Sequence, residues 1–135
     1  MTRLGLRQAT LSLQDYDPNW ADAYQIEAAL ITRHLTNVPF EIAHIGSTAV
    51  PGLPAKPILD IAMRSHQQAQ IARRLVQLGY IDRGMRSGWL FIKLRDSDMR
   101  THNLHLYQGD DPDYDDQITF RDILRADLQI RHAYL

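Results

Sequence analysis

The chain contains no cysteine, so disulfides and thiolate metal sites are excluded, and the composition suits a reducing compartment. It has no surplus of either charge. Fifteen Lys and Arg stand against sixteen Asp and Glu, a formal net charge of −1, so no field draws in nucleic acid or an anionic membrane as a partner. No apolar run approaches the ~20 residues that cross a bilayer, and residues 1–6 lack the apolar core of a secretory leader. A cytoplasmic protein is the expectation. Internal repeats and low-complexity tracts are also missing. What remains is ordinary globular material, with 44% hydrophobic and 23% charged residues in 135, enough for one domain over 1–135.

The most informative stretch is His44-Ile45-Gly46-Ser47-Thr48-Ala49-Val50-Pro51-Gly52-Leu53-Pro54-Ala55-Lys56-Pro57-Ile58-Leu59-Asp60. Its prolines and glycines impose a fixed turn between two apolar runs, residues 40–45 and 58–63, each of which reads as a buried strand. The second run contains Asp60. A carboxylate in an otherwise apolar strand is costly unless something pairs with it, so a metal ion, a base or a hydrogen-bond donor is expected beside it. A turn that starts with Gly46-Ser47 can aim backbone N–H groups at a phosphate. The two features together predict a polar pocket, with phosphate on the Gly46-Ser47 side and a cation on the Asp60 side. The competing reading is structural. In that reading Asp60 anchors the turn or pairs with Lys56 or Arg95, and His44 on the buried strand is a hydrogen-bonded core residue.

The rest of the chain supplies a scaffold. Residues 1–9 read as a loose lead-in and residues 10–13 as a short edge strand. Asp17-Pro18 is a helix start, with Asp as the cap and Pro at the first helical position. Trp20, Tyr24, Ala28, Ile31 and Leu35 follow at helical spacing, and Asn37-Val38-Pro39 ends the run. Ser65 is placed to cap a second helix, with Gln68 at the capping-box position and Gly79 as its stop. Tyr80-Ile81 opens a strand, and residues 84–88 form a turn. Residues 89–95 alternate, with Leu90, Ile92 and Leu94 on one face and Trp89, Phe91, Lys93 and Arg95 on the other. After a polar connection at 96–100, residues 102–107 form a further strand with Asn103, His105 and Tyr107 on one face. The acidic run Asp110-Asp111-Pro112-Asp113 lacks the glycine and terminal Glu of a calcium loop and reads as a solvated loop before a helix. That helix carries Ile118, Phe120, Ile123, Leu124 and Leu128 and is still running at Leu135. The fold class is α/β (α+β), a single mixed β-sheet with helices packed on it.

The central stretch resembles the signature of the GrpB family. Asp15-Tyr16-Asp17-Pro18-Asn19-Trp20, His102-Asn103-Leu104-His105-Leu106 and Phe120-Arg121-Asp122-Ile123-Leu124-Arg125 resemble its other landmarks, in order. The family's biochemical role is unsettled, and its fold is similar to the nucleotidyltransferases. The resemblance covers nearly the whole chain. It implies a nucleotidyltransferase-like domain over 1–135, to which such proteins usually add further helix. Enzymes of that fold carry a Gly-Ser turn, a strand with two acids one residue apart, and a third acid on a neighbouring strand. Gly46-Ser47 fits the turn and Asp60 the first acid, but Ala62 stands where the second belongs.

What the resemblance implies for the site follows from that pattern. Asp60 and His105 would share a cleft as catalytic and metal-binding groups. Their cofactor would be a divalent cation, Mg²⁺ or Mn²⁺, or Zn²⁺ in view of the imidazole. His105 has general base as its other role. Lys93 would meet developing negative charge as a third catalytic residue. Gly46, Ser47, Thr48, Lys56 and Arg95 would hold phosphate. His102 falls on the strand face opposite His105. The implied partner is a nucleotide or another phosphorylated small molecule, and a homodimer is an open arrangement. The readings are a metal-dependent nucleotidyltransferase and, because one acid cannot hold a pair of Mg²⁺ ions, a catalytically degenerate ligand-binding or partner-binding domain.

Overall fold

The computed structural model describes residues 4–7 and 12–134. Its sheet has six strands, β1 (Leu6–Arg7), β2 (Glu41–Ile45), β3 (Leu59–Ser65), β4 (Ile81–Arg86), β5 (Gly88–Arg95) and β6 (Met99–Gln108). The order is β2-β3-β6-β5-β4, with β1 paired to the start of β6. Only β3 and β6 run parallel, and the other neighbours are antiparallel. The sheet is therefore mixed, as the order of elements in the sequence requires.

Helices α1 (Asn19–His34) and α2 (Gln68–Gln77) cover one face. There Trp20, Tyr24, Ile31, Ile71 and Leu75 meet Leu59, Ile61 and Met63 of β3, Leu104 and Leu106 of β6, and Phe91 of β5. α3 (Pro112–Ala126) lies on the other face, where Tyr114 joins Ala43, Ile45, Ala62 and Tyr107. α4 (Leu128–Tyr134) follows it. The strand period of two explains the division. Leu59, Ile61 and Met63 point to α1 and α2, so Asp60, Ala62 and Arg64 point the other way.

The register of α1 brings one acid into the core. Trp20, Tyr24, Glu27 and Ile31 form its buried stripe. Burying a large apolar side chain contributes about 2 kcal/mol, so a rotation that freed Glu27 would expose three residues to rescue one. Glu27 is kept by partners instead. Its Oε2 accepts from Tyr80 Oη and from Lys93 Nζ, each at 2.6 Å.

Several local expectations are met and several move. α1 begins one residue later than expected, with Pro18 at the cap position, and Asp17 Oδ1 accepts from Asn19 N at 2.9 Å just ahead of it. Gly79, at φ +98°, ends α2. The cap position of α2 is Gln67 rather than Ser65, whose Oγ accepts from Gln67 N at 2.9 Å ahead of the helix, and Gln68 Nε2 donates to Leu106 O in the sheet rather than back to Ser65. The lead-in contains strand β1, and Thr10 and Leu11 of the expected edge strand lie outside the described residues. The helix expected to run on to the end breaks at Asp127, whose extended backbone (φ −121°, ψ 108°) separates α3 from α4 and whose Oδ1 accepts from Ile130 N. No described helix is long and apolar enough to cross a membrane.

Candidate functional site

The turn after β2 is built around one close approach. Gly46 has φ +74° and ψ −175°, a backbone state essentially reserved for glycine. A Cβ at Gly46 would stand 2.7 Å from Asp60 Oδ2 and 3.0 Å from Asp60 Cβ. The antiparallel pairing of Ile45 with Asp60 brings the acid there. Residues Ser47–Ala49 then form a 3₁₀ turn, with Ala49 N donating to Gly46 O and Val50 N to Ser47 O. Thr48 is buried beneath it, and its Oγ1 lies 2.9 Å from His44 Nε2. The His44 ring stacks on Tyr24 with centroids 4.7 Å apart. Burial, reinforced by the Arg125 and Arg121 charges, lowers the His44 pKa to about 4. His44 is thus a neutral strut under the turn, as the structural reading held.

A cavity of about 640 Å³ opens beside the turn, with Ser47, Thr48, Lys56, Asp60, Arg100 and Asn103 as its polar lining. Asp60 pairs in register with Asn103 across the parallel β3–β6 ladder, and Asn103 Nδ2 donates to Asp60 Oδ1 at 3.2 Å. Burial pushes the Asp60 carboxyl up from its ordinary pKa. The Asn103 hydrogen bond and the charges of His105, Lys56 and Arg100 work against that. Arg100 Nη1 lies 3.4 Å from Asn103 Oδ1, while Arg100 Nε is buried without a hydrogen-bond partner among the described residues.

The structure thus gathers Gly46, Ser47, Thr48, Lys56 and Asp60 in one place, and leaves three expected members out. His105 lies on the Asp60 face of the sheet but is paired with Ala62, not with Asp60. It stands two residues past Asn103, about 6.6 Å along the strand. Its Nδ1 donates to Ser87 O at 2.7 Å, and its Nε2 makes no hydrogen bond among the described residues. The in-register neighbour of Asp60 on β6 is Asn103, with His105 two residues further along the same face.

Lys93 and Arg95 are on the wrong face for the roles expected of them. Lys93 sits under α1 against Glu27, with Nζ 4.7 Å from the centre of the Tyr80 ring. Burial would raise the Glu27 pKa, but the hydrogen bonds from Lys93 and Tyr80, with the His102 and Lys93 charges, hold it below its usual value. Arg95, beyond a bulge at Lys93/Leu94, donates from Nη2 to Leu4 O at 2.8 Å. The alternation in β5 was legible, but which face carried the cavity was not. Glu27, an acid on the apolar stripe of α1, is the signal that Lys93 was needed on that side. Arg100 was missed because the polar run 96–100 reads as a connection, whereas Met99 and Arg100 already belong to β6.

A nucleotidyltransferase metal centre does not fit these residues. Asp60 is the first acid. The second position, Ala62, is fully buried and packs in the α3 cluster. The position opposite Asp60 on the neighbouring strand is Asn103, an amide. Among the described residues no three His, Cys, Asp or Glu converge to hold a metal ion.

An open mixed sheet whose Gly-Ser turn abuts an acid on the next strand defines the class of nucleotidyltransferase-like folds. Two structures of that kind align with the chain. One is a cytoplasmic RNA terminal U-transferase, with TM-score 0.57 over 87% of this chain and 38% of that one. The other is the Cid1 poly(U) polymerase, with TM-score 0.56 over 87% and 41%. At 8% identity in each case, the likeness is one of fold. The chain belongs to the GrpB family, whose model, GrpB protein, matches residues 10–135. A UPF0157 protein of Halalkalibacterium halodurans is 35% identical over 132 residues, covering 93% of this chain and 66% of its own length. The conserved protein GrpB from Enterococcus faecalis aligns with TM-score 0.78 at 28% identity, covering 91% of this chain and 78% of that one. The chain therefore spans just under two thirds of the halobacillar relative's length.

Proposed function

We propose that this chain binds the phosphate group of a nucleotide or another phosphorylated small molecule in the cavity between the Gly46-Ser47 turn and Asp60, and that it does so without metal-dependent nucleotidyl transfer. The observation that carries this reading is the packing of Asp60 against Gly46 in the wall of a cavity that also presents Ser47, Lys56 and Arg100. A hydroxyl, an ammonium and a guanidinium around one recess suit the oxygens of a phosphate. The fold neighbours support a nucleotide as one candidate, since the Cid1 poly(U) polymerase is described bound to MgATP. Loss of the second and third acids argues against transfer, because in-line displacement relies on carboxylates that clamp two ions over the reacting oxygens.

The test is thermal unfolding of the chain with inorganic phosphate, AMP, ADP and ATP, each once in EDTA and once with Mg²⁺. A ligand at about a hundred times its Kd adds roughly 2.7 kcal/mol to native stability, which reads as a rise of about 5–10 °C in Tm for a domain of this size. Parallel incubations with nucleoside triphosphates and Mg²⁺ or Mn²⁺ should release no pyrophosphate. A flat melting curve with all four ligands overturns the proposal. Steady pyrophosphate release, abolished in Asp60→Asn, would replace it with the enzymatic reading that the fold neighbours favour.

A further inference from the structure

We infer that the cavity takes its phosphate-bearing ligand as the metal-free anion, whose charge is met by the fixed cations Lys56 and Arg100 in place of a divalent ion held on Asp60. This rests on the phosphate-binding reading above and goes one step further, to the ionic form of the ligand and the groups that recognise it.

The case begins with the oxygens a metal would need. Asp60 Oδ1 is engaged by Asn103 Nδ2 at 3.2 Å. Asp60 Oδ2 lies on the Gly46 side, 2.7 Å from where a Cβ of residue 46 would stand. Asn103 has one oxygen, and Arg100 Nη1 lies 3.4 Å from it. The remaining metal-ligand position of the fold is Ala62, which has no donor and is sealed under α3 by Tyr107 and Tyr114. Asp60 Oδ1 and Asn103 Oδ1 are thus each turned to a protein donor, which leaves Asp60 Oδ2 as the one carboxylate oxygen beside the cavity. Mg²⁺ keeps waters and substrate oxygens as ligands and is anchored to protein by carboxylates; here a single carboxylate remains, with Ala62 and Asn103 at the other two positions.

The same wall has spare positive charge. Lys56 and Arg100 both border the cavity, against the single carboxylate of Asp60. Arg100 is only lightly used within the protein, through one long contact, and its Nε is buried with no partner among the described residues. Guanidinium offers five N–H donors in a planar fork that matches two oxygens of one phosphate. A buried donor without an acceptor is costly, and an anion seated in the cavity supplies the missing acceptor. Ser47 adds a hydroxyl at the same rim. Asp60 then has a different job from its counterpart in the enzymes of this fold. It fixes Asn103 and, through it, Arg100, and it shapes the Gly46 bend.

The deciding experiment is isothermal titration of the chain with inorganic tripolyphosphate and with ATP, once in EDTA and once in excess Mg²⁺. Binding in EDTA should be as tight as in Mg²⁺ or up to about tenfold tighter, since Mg²⁺ competes with Lys56 and Arg100 for the same oxygens. Arg100→Gln and Lys56→Gln should each weaken binding by about tenfold to a hundredfold, the range for a charged hydrogen bond. Asp60→Asn should bind tighter than the wild type in both media, because it removes a repelling charge beside the phosphate and keeps the shape. Binding that appears only with Mg²⁺ and vanishes in Asp60→Asn overturns this inference while leaving the phosphate-binding reading intact. Binding in neither medium removes that reading itself. The comparison of EDTA with Mg²⁺ uses the unmodified chain, so the result stands even if a variant folds poorly.

Discussion

Gly46 and Asp60 hold the site together through a contact that leaves no room for a methyl group. Gly46→Ala meets two penalties at once, an unfavourable backbone at φ +74° and a Cβ driven to 2.7 Å from Asp60 Oδ2. Strained backbone states of this kind cost about 1–3 kcal/mol, so the variant should lose about 2 kcal/mol or more in urea unfolding. The closest atom is the carboxylate oxygen, so Asp60→Ala should recover part of the loss when combined with it. The two changes should therefore be non-additive in a double-mutant cycle, as expected of residues in contact. Additive effects would mean that the turn and the acid are independent. At this scale the sequence was informative. An acid inside an apolar strand and a glycine before Ser47 were visible as oddities; the structure sets them side by side, with Asp60 in the cavity wall.

At the scale of elements, β5 and β6 divide polar side chains between two faces that do different work. Lys93 faces α1 and neutralises buried Glu27, whereas Arg100 and Asn103 on β6 face the cavity. Lys93→Ala leaves a buried carboxylate without its cation, and breaking such a pair costs about 3 kcal/mol. It should lower the unfolding midpoint sharply and leave the affinity for tripolyphosphate unchanged. Arg100→Ala should do the reverse. If Lys93→Ala lost ligand affinity with the fold intact, the assignment of Lys93 to the helix face would fail. A second clamp sits on the other face, where Arg64 bridges Glu41 and Asp115 at 2.7 Å each and lies over the Tyr114 ring. Arg64→Ala should loosen α3, read as faster amide exchange in Pro112–Ala126 with little change in α1. Strand alternation told which residues of β5 share a face. It was silent on which face met α1, because that depends on the register between Glu27 and Lys93, residues 66 positions apart.

For the molecule as a whole, stability is tied to two imidazoles kept neutral in separate places. His44 stands under the turn, and His102 lies beside Glu27 on the helix face. Burial lowers each to about 4. In the unfolded chain both take up a proton near the ordinary value of about 6.5. Between those values the unfolded state binds more protons than the folded one, so stability is full above about 6.5 and falls as pH drops toward 4. The slope reaches at most about 1.4 kcal/mol per pH unit for each histidine. Glu27, held below its usual pKa, extends the loss to still lower pH. Urea midpoints measured from pH 7 to 4.5 should decline, and His44→Asn with His102→Asn should flatten the decline. A midpoint independent of pH over that range would contradict the burial of both rings.

The sequence alone determined the alternation of helices and strands, the mixed sheet, the fixed turn before the second long strand and the family the chain belongs to. All of these are written in local periodicity, in proline and glycine placement and in motif order. Only the tertiary structure decided which groups meet Asp60. Strand pairing put Asn103 opposite it and left His105 two pairs along the ladder, sheet packing drew Lys93 beneath α1, and the early start of β6 carried Arg100 to the cavity. Those outcomes depend on register between segments distant in the chain, where a shift of one residue reverses a side chain's face, and no local pattern encodes that register.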